Sequence, residues 1–385
     1  MGADIQKLQH AITAQTEESE HKCLNDRIEA MPRPRSREAI VYRAVDEYSR
    51  AFLTVLPGGK QTNMCPAEFR ECYVRYIAGK SPACAPFEGQ QLNVSLRGGP
   101  LDAYGDIAVA AAWTGNQESI FRHDPIVQTI ASAIKDVGGY AVAEDSAFFS
   151  SVLPPAAIAA AQAQAALTGQ THRLRVITPD VVVRVDPARG RLQLIEIKTI
   201  AFCPSYYTDN NAALPPGVAR RAKPLEAEYL RKARAQDRVF GLALPGPHLN
   251  GPNASIGPIE AKLNTVKPIR GIVIGAFGEV SADTHSLVKE IAAQGGRKMY
   301  ALMGVSPMEA AARIKKQLID TIGTIAARGH AQLLLARLSA LAPIAAQRGN
   351  TTNSNQQIIS LNALARAHYR RSIGTRGGAQ ASAAD

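Results

Sequence analysis

The sequence has few of the features that mark a secreted or membrane-bound protein. Its five cysteines are an odd number at irregular spacings, which argues against a disulfide framework and indicates a reducing compartment. No run of about 18 uncharged apolar residues is present to span a bilayer. The first ten residues, MGADIQKLQH, lack the apolar stretch of a signal peptide. We therefore expect an intracellular protein, cytoplasmic or nuclear, without a membrane partner.

The cysteines also lack the spacing of a zinc site. Cys65, Cys72 and Cys84 follow one another without a CxxC pair, and no fourth ligand can be placed beside them. Buried thiols are the simpler interpretation.

Acidic residues are scarce in the last quarter of the chain. Residues 297–385 contain 12 Lys and Arg against three Asp and Glu, whereas the net charge of the whole chain is +11. Such a basic region suits a polyanion such as nucleic acid, because contacts to phosphates release counterions. A role in solubility alone is the alternative.

The composition is that of a globular protein, with 46% hydrophobic residues in a chain long enough for two or three domains. Apolar periodicity and turn residues predict three regions. Residues 1–105 are expected to be mostly helical, residues 106–296 to form an α/β core, and residues 297–385 to form a basic helical region with a disordered tail.

Glycines mark the expected ends of helices near the C-terminus. Gly295 and Gly296 are expected to close a helix over residues 283–293, and Gly329 to end a helix that begins at Pro307. A second helix to about residue 341 would pair with it as a helical hairpin. This hairpin would pack on the core or on another copy of the chain, which makes a homo-oligomer possible.

The most informative stretch is residues 178–199, TPDVVVRVDPARGRLQLIEIKT, in which two β-rich runs flank a turn. Asp180 and Glu196 are each eight residues from Ala188, so a symmetric hairpin places them opposite each other. Opposed residues of an antiparallel pair have Cβ atoms roughly 4.5–5.5 Å apart. Alternation along a strand puts Lys198 on the same face as Glu196.

Two opposed carboxylates repel, and a divalent cation between them removes the repulsion. Mg²⁺, or Mn²⁺ in its place, prefers oxygen ligands. Such an ion polarises a phosphoryl oxygen and lowers the pKa of bound water, and Lys198 would orient that water or offset phosphate charge. The alternative is an exposed hairpin whose polar face happens to carry Asp180, Glu196 and Lys198.

At these residues the chain resembles the PD-(D/E)xK nuclease superfamily. Pro179-Asp180 corresponds to its PD, and Glu196-Ile197-Lys198 to its ExK. The resemblance implies a restriction-endonuclease-like α/β fold, in which a mixed sheet of αβββαβ order is flanked by helices. It also implies phosphodiester cleavage, most naturally of DNA.

Two further residues are candidates through the same resemblance. Gln236 and Phe240 form QxxxF on a basic helix, similar to the QxxxY helix of RecB-like members, although Phe lacks the tyrosine hydroxyl. Gln236 would help to position the strand, or it is simply a solvated helix residue. Glu118 is a candidate third metal ligand, because the family core usually carries another acidic group before the hairpin.

The sequence therefore predicts a metal-dependent nuclease that hydrolyses DNA phosphodiester bonds. A nucleic-acid-binding protein that keeps the fold without cleavage is the principal alternative. A structural protein with incidental hairpin acids is the second.

Overall fold

The computed structural model describes residues 15–16, 18–19, 22–23, 26, 37–55, 62–90, 99–111, 117–167, 177–188, 190–202, 207, 217–240 and 256–347. The predicted disordered tail and most of residues 1–36 of the predicted helical N-terminal region lie outside these residues. The fold is mixed α/β, as expected, with helices on both sides of a small sheet.

Among the described residues, the sheet has four strands in the order β1-β2-β3-β4. They are β1 (Tyr140–Ala143), β2 (Val181–Arg184), β3 (Gln193–Thr199) and β4 (Arg270–Ile274). The first three strands form an antiparallel meander, whereas β4 lies parallel to β3. A parallel neighbour requires a crossover connection, and the helical segment between β3 and β4 supplies it.

Helices account for most of the remaining described chain. In chain order they are α1 (Arg37–Ala44), α2 (Ala51–Thr54), α3 (Pro66–Tyr76), α4 (Asp106–Ala110), α5 (Asp124–Asp136), α6 (Ala147–Ser150), α7 (Pro155–Leu167), α8 (Gly217–Ala222), α9 (Leu225–Val239), α10 (Pro258–Thr265), α11 (Ala282–Met303) and α12 (Pro307–Gln347). A 3₁₀ turn spans Ala85–Phe87, and a π-helical turn, Ser119–His123, leads directly into α5.

The sheet is the middle of three layers because its strands are apolar on both faces. On one face, alternate residues of β2, β3 and β4 pack against α5, α11 and α12; they include Val181, Val183, Ile195, Ile197, Ile272 and Ile274. On the other face, Val182 and Leu194 pack against α6, α9 and α10. Asp180, Glu196 and Lys198 belong by alternation to this second face.

The two C-terminal helices continue through the glycines that were expected to end them. α11 runs through Gly295 and Gly296, and α12 runs without interruption through Gly329. A Cβ on Gly296 would lie 2.5 Å from the carbonyl oxygen of Pro307, and one on Gly329 would lie 2.1 Å from that of Phe121. These glycines permit close backbone packing, so the predicted helix ends were wrong.

The helical hairpin therefore consists of α11 and α12 rather than of two halves of α12. The first half of α12 contributes Leu318 and Ile322 to the core beneath the sheet. Its second half contributes Leu334 and Leu338 to a separate cluster with the N-terminal region, where Phe87 is also buried. α12 thus buries apolar side chains within its own chain, and homo-oligomerisation through these helices stays a prediction.

The predicted boundary between residues 296 and 297 falls inside α11, and α12 packs on both the sheet and the N-terminal helices. Two of the basic residues beyond that boundary, Arg328 and Arg337, are engaged internally by Glu68 and by the carbonyl of Ala108. Part of the predicted polyanion-binding charge is thus used inside the fold.

Two of the three cysteines at residues 65–84 are buried, as expected, whereas Cys65 is half-buried and Cys23, further toward the N-terminus, is exposed. Cys72 and Cys84 are buried and free, and Cys65 caps the start of α3. Within the described part of the chain, no helix combines the length and apolarity needed to cross a bilayer.

Candidate functional site

The hairpin register places the predicted acids opposite each other. Val181 pairs with Ile195 and Val182 with Leu194, so one step further along the same register aligns Asp180 with Glu196. The hairpin is therefore centred on Ala188, as predicted. The carbonyl of Asp180 also accepts the N–H of Glu144 at 2.9 Å, which fixes this end of β2 against the end of β1.

Glu196 lies in a buried polar contact with two other side chains. The Lys198 ammonium forms an ion pair with Oε1 of Glu196, and the Tyr229 hydroxyl donates to Oε2. Glu196 is 4% exposed, whereas the Lys198 side chain is 30% exposed. Burial, and after it the negative charge of Glu196, raises the pKa of Tyr229, so the phenol remains a donor.

Asp180 is held by a backbone group and by a histidine. The N–H of Ile197 donates to Oδ2 of Asp180 at 2.6 Å, across the hairpin. His123 Nε2 lies 3.2 Å from the same oxygen, and its Nδ1 lies 3.2 Å from Oδ1 of Asp124. The imidazole therefore bridges Asp124, the first residue of α5, and Asp180, which directly precedes β2.

His123 carries a positive charge at neutral pH. Burial alone would lower the pKa of the imidazole, but the hydrogen bonds and charges of Asp180 and Asp124 outweigh burial and raise it to about 9. The site therefore contains two cations, His123 and Lys198, each beside one of the two opposed carboxylates.

The carboxylate oxygens of Asp180 and Glu196 are the kind of ligand that a hard divalent cation prefers. Asp180 and Glu196 offer carboxylate oxygens from adjacent strands, and Mg²⁺ or Mn²⁺ commonly binds through one or two carboxylates plus waters. Three of the four oxygens already have partners within the chain, because Lys198, Tyr229 and His123 contact them. A bound ion would share or replace those contacts.

Glu118 does not join this pair. It precedes the π-helical turn, its side chain is 53% exposed, and its Oε1 lies 3.6 Å from Nη1 of Arg122, one turn later. Across the described residues, no group of three or more His, Cys, Asp and Glu is arranged to hold a metal ion. The structure thus brings together two of the three predicted ligands, Asp180 and Glu196.

Gln236 lies away from the opposed acids, further along α9. Its Oε1 accepts the N–H of Ile177 at 3.1 Å, which ties α9 to the segment leading into β2. Phe240, the last residue of QxxxF, packs partly buried against the apolar cluster on this side of the sheet. A contact of Gln236 with a nucleic-acid strand stays a prediction.

Sequence reasoning missed His123 and Tyr229. His123 is 57 positions before Asp180, and Tyr229 is 33 positions after Glu196. One signal for Tyr229 was available, since Leu225, Tyr229 and Ala233 form an apolar i, i+4, i+8 pattern on a helix rich in charged residues. That pattern predicts the buried face of α9, which carries Tyr229 onto the sheet.

Comparison of the chain with family models, with curated proteins and with solved structures finds no match in any of the three.

Proposed function

We propose that this protein is a metal-dependent nuclease that hydrolyses phosphodiester bonds of DNA. The observation that carries the proposal is the pair of opposed carboxylates, Asp180 and Glu196, with the Lys198 ammonium on Glu196. An acidic pair and a lysine on one sheet face is the arrangement that the sequence resemblance predicts.

The order of elements supports the restriction-endonuclease-like fold as part of this proposal. α5 is followed by β1, β2 and β3, with α6 and α7 inserted between β1 and β2, and the crossover through α8, α9 and α10 then leads to β4. Apart from the additional helices, this is the αβββαβ order that the resemblance implies, with Asp180 directly before β2 and Glu196 on β3.

The side chains have separable roles in such a reaction. Asp180 and Glu196 would hold Mg²⁺ or Mn²⁺, which supplies Lewis-acid activation of a phosphoryl oxygen and of water. Lys198 would orient the attacking water and offset charge that develops on the phosphate. Tyr229 fixes the rotamer of Glu196 by donating to Oε2.

The surface of α9 supports a polyanionic substrate. Arg231, Lys232 and Arg238 are exposed on this helix, whose buried residue Tyr229 reaches the acidic pair. A nucleic-acid backbone lying along α9 would meet positive charge, which favours binding by counterion release.

A cleavage assay on supercoiled plasmid tests the proposal. The protein is incubated with Mg²⁺, with Mn²⁺, and with EDTA. Nicking or linearisation that requires the metal is the expected result. Absence of cleavage with either metal, or cleavage that persists in EDTA, contradicts it.

A second candidate is a nucleic-acid-binding protein that keeps this fold without cleaving. The observation in its favour is that Asp180 and Glu196 are already satisfied by Ile197 N–H, His123, Lys198 and Tyr229. Salt-dependent DNA binding without metal-dependent cleavage would favour this candidate.

A further inference from the structure

A second polar cluster lies just beyond the carboxyl ends of β3 and β4, between the sheet, α3 and α12. It is built from Arg37, Arg75, Arg122 and His330, which come from four separate segments. The arginine side chains are 9%, 11% and 3% exposed, and His330 is 6% exposed. We refer to these four residues as the arginine pocket.

The arginines make only some of the contacts that buried guanidinium groups require. Arg75 donates to the carbonyl of Ala276 and to Nε2 of His330. Arg122 donates to the carbonyl of Ile200 at 2.8 Å. Four nitrogens of the pocket are buried without a hydrogen-bond partner among the described residues: Arg37 Nε, Arg75 Nη2, Arg122 Nη1 and His330 Nδ1.

All four unsatisfied atoms are donors. A guanidinium nitrogen can only donate. His330 Nε2 accepts from Arg75, so the proton of the neutral imidazole resides on Nδ1. Burial, and after it the charges of Arg75 and Arg122, keeps the pKa of His330 far below its ordinary value, so the ring is neutral. These four donors therefore lack acceptors in the described part of the chain.

Positive charge also exceeds negative charge among the side chains that contact the pocket. Glu279 acts on Arg122 from nearby, but burial raises the pKa of this carboxyl to about 7. Asp106 pairs with Arg37 and lies 3.7 Å from Arg75, so one carboxylate serves two guanidinium groups. Glu118 is half exposed and 3.6 Å from Arg122. Glu71 lines the same space, but it accepts from the Ser81 hydroxyl and the Ala83 N–H, and burial raises its pKa.

The pocket encloses two small cavities, each with room for about one water molecule, so a bound oxyanion requires the lining side chains to move apart. A cavity of about 20 Å³ is lined by Arg75, Arg122, His330 and Thr199, among others. One water molecule requires roughly 10–15 Å³. A second space of about 10 Å³, lined by Arg37, shares Arg75 and His330 with the first.

We propose that the arginine pocket binds a phosphate-type oxyanion, either free inorganic phosphate or the terminal phosphate of a nucleic-acid strand. An oxyanion supplies the acceptors and the negative charge that the pocket lacks, and guanidinium groups bind phosphate through paired N–H donors. Leaving buried charges uncompensated is costly, so the ligand stabilises the fold at the cavity that Arg75 and Arg122 both line. The proposal does not depend on cleavage at the hairpin.

Equilibrium dialysis with radiolabelled phosphate tests the proposal on the full chain. EDTA is included throughout, so that no metal at the hairpin contributes. One phosphate per chain is the expected stoichiometry. Arg122→Gln and Arg37→Gln should each weaken binding roughly 10- to 100-fold, the range for loss of a charged hydrogen bond. Arg313→Gln, which removes an exposed arginine paired with Glu309 on α12, is the matched control.

Thermal unfolding of the wild type gives a readout that does not depend on the variants folding. At 100 times Kd, phosphate should raise Tm by roughly 3–5 °C over chloride at equal ionic strength. A 5′-phosphorylated oligonucleotide that displaces phosphate, where its 5′-hydroxyl counterpart does not, identifies a strand terminus as the source. Displacement by neither identifies free phosphate.

The proposal is overturned if the wild type shows no saturable phosphate binding and no shift in Tm relative to chloride. It is also overturned if both pocket variants fold and bind phosphate as tightly as Arg313→Gln does.

Discussion

The hairpin site and the arginine pocket lie on either side of the end of β3, yet their charges are balanced in opposite ways. In the hairpin, the acids Asp180 and Glu196 meet the cations His123 and Lys198 one to one. In the pocket, Arg37 and Arg75 share Asp106, and Arg122 has only the half-exposed Glu118, at 3.6 Å. Arg122 and His123, adjacent in the chain, belong to different clusters.

This difference indicates how each cluster would respond to a ligand. The hairpin is internally satisfied, so a metal ion must compete with partners that the chain already supplies. The pocket has unsatisfied donors, so an anion adds contacts without replacing any. The hairpin can therefore persist without a ligand at little cost, whereas the pocket is expected to depend on one.

The largest expected effects are on catalysis at the hairpin. Lys198→Ala and Asp180→Asn should each lower metal-dependent plasmid cleavage by about 10²–10⁴-fold, because each removes a charge that acts on the reacting phosphate or its metal. Cleavage rates under saturating Mg²⁺ are the measurement.

Lys316→Ala is the matched control, since Lys316 is an exposed lysine paired with Asp320 on α12. If Lys198→Ala and Lys316→Ala cleave at the same rate, the active centre lies elsewhere.

The next largest effect compares one aspartate from each cluster. Asp106→Asn leaves Arg37 and Arg75 without their shared carboxylate and should destabilise the fold by about 3–5 kcal/mol. Asp180→Asn relieves the repulsion between the opposed carboxylates but loses the pairing with His123. We therefore expect its free energy of unfolding to change by no more than about 1–2 kcal/mol.

Urea unfolding of both variants, in buffer free of phosphate, provides the free energies. Equal destabilisation by the two substitutions would show that the charges of the two clusters are balanced alike.

Glu279, which lies near the arginine pocket, is expected to make the stability of the fold depend on pH. Burial raises the pKa of Glu279 to about 7, although hydrogen bonds from Tyr207 and Phe277 oppose the increase. Its folded pKa lies above the unfolded value, so its stabilising contribution is complete below about pH 4.5 and is lost as pH rises to about 7. The loss is about 3 kcal/mol.

Glu279→Gln does not titrate, so its free energy of unfolding should fall less between pH 5 and pH 8 than that of the wild type. Urea unfolding at the two pH values measures the difference. Identical slopes for both proteins would show that Glu279 keeps an ordinary pKa.

The smallest expected effect concerns the hydroxyl of Tyr229. Tyr229→Phe removes the donor to Glu196 but keeps the ring that packs against the sheet, so it should cost about 1–2 kcal/mol of stability. Tyr300→Phe, at a partly exposed tyrosine on α11, is the control. If Tyr229→Phe is as stable as this control, the ion pair with Lys198 is enough to stabilise the buried carboxylate of Glu196.

The hairpin was predictable because its determinants are local. Alternating side chains and a turn centred on Ala188 define the register, and one shift of register would reverse every face. The helix ends were not predictable. Glycine is typical of helix ends, but Gly296 and Gly329 lie inside helices. Each packs against the backbone of a distant segment that leaves no room for a Cβ. Packing therefore overrode local propensity.

The sequence by itself determined the opposed pair, Asp180 and Glu196, and the shared face of Lys198, since strand alternation and turn position depend only on neighbours along the chain. Only the tertiary structure decided that His123 contacts Asp180, that Glu118 pairs with Arg122 instead, and that four distant segments form the arginine pocket. The physical reason is that the contacts of His123 with Asp180 and within the arginine pocket join residues that are far apart in the sequence. They form only when the helices pack, so the local sequence pattern around each residue does not predict them.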